Sequence, residues 1–188
     1  MYLRTTIATL VLCLFAALPA WAGPPLLCHP IPIGSAPSLP WSGGYGWNGM
    51  DSSYDVSHLI ADTLKFLTPA TPLPAREETL RRAAIYSTRQ SGLTETLASR
   101  LLARATDAQT RGLNEPSAWF DAGYFAATVR EAARVYAMTN DPVRRSGWFV
   151  RAPVPNVDAS ALIRKAISLG GKNMERVAAI AQVDQSRP

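Results

Sequence analysis

The stretch SAWFDAGYFAATVREAARVYAM, residues 117–138, decides the fold of this chain. Read at a helical period, its apolar side chains point in most directions around the axis, and a helix that is apolar nearly all round is buried. The stretch carries four charged residues and has no run of about 18 uncharged apolar residues, which excludes a membrane span. It therefore predicts the central helix of an all-α domain, with the other helices packed around it.

A patch of small residues and several charges lie within the same stretch. The small residues are Ala122, Gly123, Ala126 and Ala127. A glycine inside a helix costs about 1 kcal/mol relative to alanine, so the patch indicates close approach of a neighbouring helix or of an N-terminal segment. A charge inside a core must be paired. We expect Glu131 to pair with Arg134 along the helix, and Asp121 to find a partner elsewhere.

Further helices complete a single predicted domain of about five or six helices over residues 51–183. Their predicted ranges are residues 51–67, 74–90, 94–106, 159–169 and 172–183. The second helix has a predicted inner face formed by Leu80, Ala83, Ala84 and Ser87. Its spacing also predicts the ion pairs Glu77–Arg81 and Glu78–Arg82, each four residues apart. Residues 184–188 are expected to fray.

Residues 23–50 are predicted to form an extended N-terminal arm rich in proline, glycine and aromatic residues. Six prolines between positions 24 and 40 forbid a continuous helix. Two interpretations stay open for the apolar side chains that accompany them. Either the arm packs over the helical domain as a strap, or Trp41, Tyr45 and Trp47 form an aromatic platform for a sugar or a peptide.

The first 22 residues have the organisation of a signal peptide. Arg4 supplies a positive start, residues 7–18 are apolar, and an A-x-A cleavage site ends at Ala22. The alternative is an uncleaved membrane anchor, for which the apolar segment is short. We expect a mature chain that begins at Gly23, has no transmembrane segment, and is located in the periplasm or outside the cell.

Length, charge and cysteine content narrow the class of protein. The 188 residues give room for one domain. The chain carries 19 Lys and Arg against 14 Asp and Glu, but the positive charges form no cluster, which argues against nucleic-acid binding. Cys13 would leave with the signal peptide. Cys28 is then alone, and we expect it to be buried, to bridge two chains or to bind a ligand.

The best candidate site in the sequence is formed by Asp51, Asp55, His58 and Asp62. Within a helix, their spacing of four, three and four residues places them on one face. Carboxylate and imidazole groups are ligands for zinc, iron or manganese. Either these residues hold a divalent metal together with a second contributor such as His29, or they form the solvated side of the helix.

Nucleophilic catalysis has a weaker basis in the sequence. Cys28 with His29 or His58 offers a nucleophile and a base, but adjacent residues in a Pro-rich strand point to opposite sides. No nucleophile elbow, phosphate-binding glycine loop or HExxH motif occurs. We therefore predict a non-enzymatic binding or scaffolding role, with another envelope protein or a small ligand as partner and no cofactor. The alternative is a metal-binding protein or metal-dependent enzyme that uses Asp51, Asp55 and His58.

Overall fold

The computed structural model describes residues 26–43, 49–138 and 154–185 of the chain. Over these ranges the protein is all-helical and contains no strand, as the sequence predicted. A 3-10 turn at Val56–His58 precedes six helices: α1 (Leu59–Phe66), α2 (Leu73–Ser87), α3 (Leu93–Thr110), α4 (Pro116–Met138), α5 (Ala159–Ser168) and α6 (Glu175–Gln185). The predicted signal peptide lies outside the described residues.

Helix α4 is the centre of the fold, within one residue of its predicted range. Every residue from 118 to 129 is buried, and the largest side chains among them are Phe120, Tyr124 and Phe125. Helices α2, α3 and α5 pack directly on α4, and α6 also contacts it. Fully burying one such side chain contributes about 1.5–3 kcal/mol. None of the helices in the described part of the chain is long and apolar enough to cross a membrane.

Helix α5 packs on α4 at Gly123. A methyl group placed on Gly123 would lie 2.7 Å from Ile163 Cγ1 and 2.9 Å from the carbonyl oxygen of Ala159. Both distances are shorter than van der Waals contact, so the two helix backbones approach this closely only because residue 123 has no side chain. The small-residue patch therefore serves a neighbouring helix, which was one of the two predicted alternatives.

The predicted helix over residues 51–67 is wrong in its first part, because α1 is preceded by two turns. The side chain of Asp51 accepts a hydrogen bond from the backbone N–H of Ser53 at 2.9 Å, and Asp55 accepts one from the N–H of Ser57 at 2.9 Å. Turns of this kind compete with helical hydrogen bonding. The chain therefore enters a regular helix only after both aspartates.

The other helix ends differ from their predicted positions by a few residues. Helix α3 continues to Thr110, where the sequence predicted an end near Thr106. It stops at Gly112, whose φ of 71° lets the Leu113 N–H bond to the carbonyl of Ala108 at 2.9 Å. This is the usual glycine-dependent helix ending. Helix α6 is shifted toward the C-terminus of its predicted range, and residues 186–188 lie outside the described part of the chain.

Helix α2 is buried on nearly all sides, whereas the sequence predicted one inner face. Residues 75–81 and 83–87 are buried, although the helix contains five charged residues. One side packs on α4. Residues 26–43 of the arm lie over the other side, and their three leucines are at most 3% exposed. This arrangement matches the strap interpretation of the arm. Contrary to the sequence prediction, the arm is not extended throughout, because the Ala36 N–H bonds to the Ile33 carbonyl at 3.0 Å in a turn that places Gly34 at a φ of 57°.

The ion pairs on α2 agree with the sequence in one case and differ in the other. Glu78 pairs with Arg82 at 2.7 Å, as predicted. The predicted pair between Glu77 and Arg81 is wrong, because Arg81 pairs with Glu78 at 2.8 Å while Glu77 pairs with Arg176 of α6 at 3.0 Å. The partner of Glu77 lies 99 positions away in sequence, so spacing within α2 could not indicate this pair.

Candidate functional site

Within the described residues, five polar side chains of the helical domain bind main-chain groups of the arm, and we call this set the arm seam. Its members are Glu78, Arg81, Arg82 and Tyr86 of α2 and Glu131 of α4. Each of the five binds a main-chain N–H or carbonyl group within residues 26–40. Main-chain groups are common to all residues, so contacts of this kind recognise the path of a main chain and depend little on its side chains.

Glu78 lies at the centre of the arm seam and is fully buried. Its carboxylate accepts hydrogen bonds from Arg81 through Nε and Nη2, both at 2.8 Å, and from Arg82 Nε at 2.7 Å. It also accepts the backbone N–H of Ile31 at 3.0 Å. Burial acts to raise the pKa of Glu78, but these hydrogen bonds and the charge of Arg81 outweigh it and lower the pKa. The carboxylate is therefore a permanent acceptor at neutral pH.

Arg81 and Arg82 extend the contact to carbonyl groups near the two ends of the described arm. Arg81 Nη1 donates to the carbonyl of Leu27 at 3.0 Å, and Arg82 Nη1 donates to the carbonyl of Leu39 at 2.6 Å. A guanidinium group presents its donors in a fixed plane, so one arginine can bind a carboxylate and a carbonyl at the same time. The two arginines thus fix the arm at both ends.

Tyr86 completes the arm seam beyond Leu39. Its hydroxyl donates to the carbonyl of Pro40 at 2.8 Å and accepts the N–H of Asp51 at 2.8 Å. The indole of Trp41 meets the Tyr86 ring edge-on, with centroids 5.9 Å apart. The Arg81 guanidinium lies over the same indole at 4.8 Å from the ring centroid, within range of a cation–π interaction. The end of the arm is therefore tied down by both polar and aromatic contacts.

Of the predicted aromatic platform, only Trp41 belongs to the described residues. It is half-buried, and Gly49 packs directly on its indole nitrogen. The ring is therefore used largely within the fold. Tyr45 and Trp47 lie outside the described residues, and the platform stays a prediction.

Glu131 holds the first described residue of the arm. Its carboxylate accepts a hydrogen bond from the N–H of Leu26 at 3.0 Å, and Glu131 is only 5% exposed. Burial raises the pKa of Glu131 to about 7, against the opposing effects of the Leu26 N–H and the charge of Arg134. The role of Glu131 in the arm seam was not predicted, since the sequence indicated only its pairing with Arg134.

Cys28 is a half-buried free thiol close to Glu131. Burial, followed by the negative charge of Glu131, raises the pKa of Cys28, and Arg81 opposes the effect. A thiol with a raised pKa is mostly protonated at neutral pH, and the thiolate is the nucleophilic form. The environment of Cys28 is therefore unlike that of an activated catalytic cysteine.

The predicted metal ligands do not all lie on one helix. Asp51 and Asp55 belong to the two turns before α1, and Asp62 of α1 accepts the hydroxyl of Tyr54 at 2.8 Å. Asp55 and His58 are exposed, with Oδ2 and Nε2 3.8 Å apart. Within the described ranges, no three His, Cys, Asp or Glu side chains are grouped so that they could hold a metal ion. The prediction that the four residues share one face of a helix is wrong, whereas metal binding itself stays a prediction.

A second buried cluster of charges joins α2, α3 and α4. Arg76 Nη1 and Asp121 Oδ2 lie 2.5 Å apart, and both residues are at most 2% exposed. Arg76 also donates to the carbonyl of Thr68, while Arg104 donates to the carbonyl of Leu67 and lies 3.9 Å from Asp121. Burial raises the pKa of Asp121 to about 6, and Arg76 and then Arg104 oppose this. The predicted need of Asp121 for a distant partner is met by Arg76.

We expect the protein to be more stable to heat near pH 5 than near pH 8. The pKa of Glu131 is raised from 4.5 to about 7, and that of Asp121 from 3.8 to about 6. Between its unfolded and its folded pKa, each of these two carboxyl groups binds more protons in the folded chain than in the unfolded chain. The free energy of unfolding therefore falls as the pH rises through about 6 for Asp121 and about 7 for Glu131. Glu78 has a lowered pKa and loses its contribution only at lower pH.

Thermal unfolding followed by circular dichroism between about pH 5 and about pH 8 measures this dependence. Glu131→Gln, which is neutral throughout, should flatten the curve above about pH 6. The matched change Glu95→Gln, at an exposed position of α3, should leave it unaltered. A melting temperature that increases from pH 5 to pH 8, or equal curves for the two variants, contradicts the expectation.

Comparison of the chain with protein-family models, curated proteins and solved structures gave no match. The arm seam is therefore the basis for inferring function, and the sequence had not identified it. One signal was present: Glu78, Arg82 and Tyr86 follow one another at a spacing of four, which places three hydrogen-bonding groups along one line of a helix. Nothing in the sequence alone indicated that the arm would lie along this line.

Proposed function

We propose that this chain is a non-enzymatic binding protein of the periplasm or the extracellular space that holds a polypeptide segment along the arm seam. One observation carries the proposal: all five side chains of the arm seam bind main-chain groups of residues 26–40. Main-chain hydrogen bonds combined with pockets for apolar side chains are a general mode of peptide recognition.

The charged part of the arm seam is organised for this role. Glu78 holds Arg81 and Arg82 in place through salt bridges, so that their remaining donors are directed at the arm. Buried ion pairs add little net stability compared with apolar residues of similar volume. Their position here, at the contact with main-chain carbonyls, supports a function in recognition.

The apolar part supplies affinity. Leu27 is fully buried in a small cluster with Ile85 of α2 and Ala132 of α4, while Leu26 and Leu39 join the main core. Each buried leucine contributes about 1.5–3 kcal/mol. The expected partner is therefore a segment with leucine anchors, as another envelope protein could present.

Binding of a peptide in trans tests the proposal. In the full-length mature chain, Leu27→Asp places a charge in the cluster with Ile85 and Ala132 and should release the arm. A fluorescent peptide of residues 26–41 should bind this variant at least about tenfold more tightly than the unchanged chain, whose own arm competes at an effective concentration of about 1 mM. Fluorescence anisotropy measures both affinities.

The control is the same peptide carrying aspartate at the position of Leu27, which should not bind. Circular dichroism establishes whether the Leu27→Asp chain is folded. A folded variant that leaves the unchanged peptide unbound up to about 1 mM would contradict the proposal.

A metal-binding protein or metal-dependent enzyme using Asp51, Asp55 and His58 is the second candidate function. The observation in its favour is the 3.8 Å separation between Asp55 Oδ2 and His58 Nε2 on an exposed surface. Metal analysis of the purified mature protein separates the two candidates. A stoichiometric divalent metal that is lost in His58→Gln would favour the second.

A further inference from the structure

Departure of the arm would expose apolar surface and main-chain binding groups of the arm seam. If the arm left it, Ile85 and Ala132 would lose their contact with Leu27, and Arg81 would lose its carbonyl acceptor. Arg81 would keep its pair with Glu78, but apolar surface would be exposed beside a main-chain hydrogen-bonding site, and this favours renewed association. An opened molecule therefore needs an occupant of the same shape and chemistry.

We infer that the arm seam also accepts the arm of a second copy of this chain, so that two chains form a dimer by exchanging their arms. This inference rests on the proposed function, because it names an occupant for the same site. The second arm has the same sequence, so the contacts of Glu131 with Leu26 and of Arg81 with Leu27 are available to it unchanged. The exchanged dimer then differs from the closed chain at the hinge and in the entropy of association.

The hinge for this exchange lies at residues 51–53. On the arm side, the N–H of Asp51 is bound to Tyr86, and on the other side Leu59 is fully buried in the core. Between them, Ser53 is exposed and its N–H and hydroxyl bond to the Asp51 side chain at 2.9 and 2.6 Å. Opening this turn breaks local hydrogen bonds that water can replace, and it leaves the core contacts of Leu59 in place.

Prolines restrict the conformation of the arm before it docks on either chain. Four of its described residues are prolines: Pro30, Pro32, Pro37 and Pro40. Each proline fixes one backbone dihedral near the value of an extended chain, also before the arm docks. Less conformational entropy is therefore lost on docking, whichever copy provides the arm seam.

A disulfide across the arm seam tests the exchange. Ser38 Oγ and Thr79 Oγ1 lie 2.9 Å apart between arm and α2, so cysteines at these positions are close enough for a disulfide. In mature chains beginning at Gly23 that carry Cys28→Ser, one chain receives Ser38→Cys and a second chain, with a different affinity tag, receives Thr79→Cys. The two are mixed at high concentration, warmed briefly to open the arm, cooled and oxidised. A disulfide between the two tags reports an arm of the first chain in the arm seam of the second.

We expect this mixed disulfide to be at least about tenfold more abundant than the one formed when Ser99→Cys, at an exposed position of α3, replaces Thr79→Cys. Adding Leu27→Asp to the Ser38→Cys chain should abolish the excess. Equal yields with Thr79→Cys and Ser99→Cys would overturn the exchange. Peptide binding to the Leu27→Asp chain without the mixed disulfide would leave the proposed function standing and remove the dimer, whereas failure of both experiments removes both.

Discussion

Replacing Asp121 with leucine is expected to destabilise the fold by about 3–5 kcal/mol. The change leaves Arg76, which is 2% exposed, without its carboxylate partner at 2.5 Å. A buried guanidinium without a counter-charge is among the most unfavourable groups in a protein core. Denaturation in urea near pH 8 measures the loss, since Asp121, with a pKa of about 6, is ionised there in the unchanged protein.

The double variant Arg76→Met, Asp121→Leu should recover a large part of this loss. Replacing both members of a buried pair by apolar residues of similar volume is often close to neutral, because no charge is left buried. Arg164→Ala, which removes an exposed contact of 3.9 Å with Asp158, serves as control and should change stability by less than about 1 kcal/mol. A double variant as unstable as Asp121→Leu alone would show that the loss of stability does not come from leaving Arg76 unpaired.

The second large effect is expected for Gly123→Leu, which should cost about 3 kcal/mol, at the upper end of what overpacking usually costs. The Cβ alone would lie 2.7 Å from Ile163 Cγ1 and 2.9 Å from the Ala159 carbonyl oxygen. The Ile163 side chain has some freedom to move, but the Ala159 oxygen belongs to the main chain of α5. Helices α4 and α5 must therefore separate, and contacts along both are lost. Thermal melts compare the variant with the unchanged chain.

Two controls accompany Gly123→Leu. Ala103→Leu enlarges an exposed residue of α3, and Arg89→Ala changes an exposed residue just after α2. Both should stay within about 0.5 kcal/mol. Adding Ile163→Ala to Gly123→Leu should restore only part of the stability, because the contact with the Ala159 oxygen stays. If Gly123→Leu melts at the same temperature as Ala103→Leu, the close contact between α4 and α5 is contradicted.

The sequence predicted α4 well because the evidence for it is local. A helix with apolar residues on all sides has to be buried, whatever surrounds it. The same local approach located α2 and its Glu78–Arg82 pair, but it failed for the predicted pair between Glu77 and Arg81. Arg81 is buried because the arm covers it, and its contact with Leu27 spans 54 residues of sequence. No periodicity within α2 contains that information.

The start of α1 shows a different limit of sequence analysis. Aspartate and serine are the residues that cap helices, and they are also the residues that form side-chain turns. The segment around Asp51 and Asp55 has the composition for both. In the structure the aspartates close turns, so Asp51 and Asp55 do not share a helical face with Asp62. The choice between the two outcomes depends on tertiary contacts such as the bond between Tyr86 and the Asp51 N–H.

The hydrogen bond between Leu26 and Glu131 has a consequence for the order of folding. The two residues are separated by 105 positions, so the contact closes a very long loop, and the free energy of closing a loop increases with its length. Contacts of such high sequence separation tend to form slowly. We expect the arm to dock after the helices have assembled. Interactions that form after the rate-limiting step affect the rate of unfolding more than the rate of folding. On this view the arm, although it precedes all the helices of the domain in the sequence, determines how long a folded molecule persists.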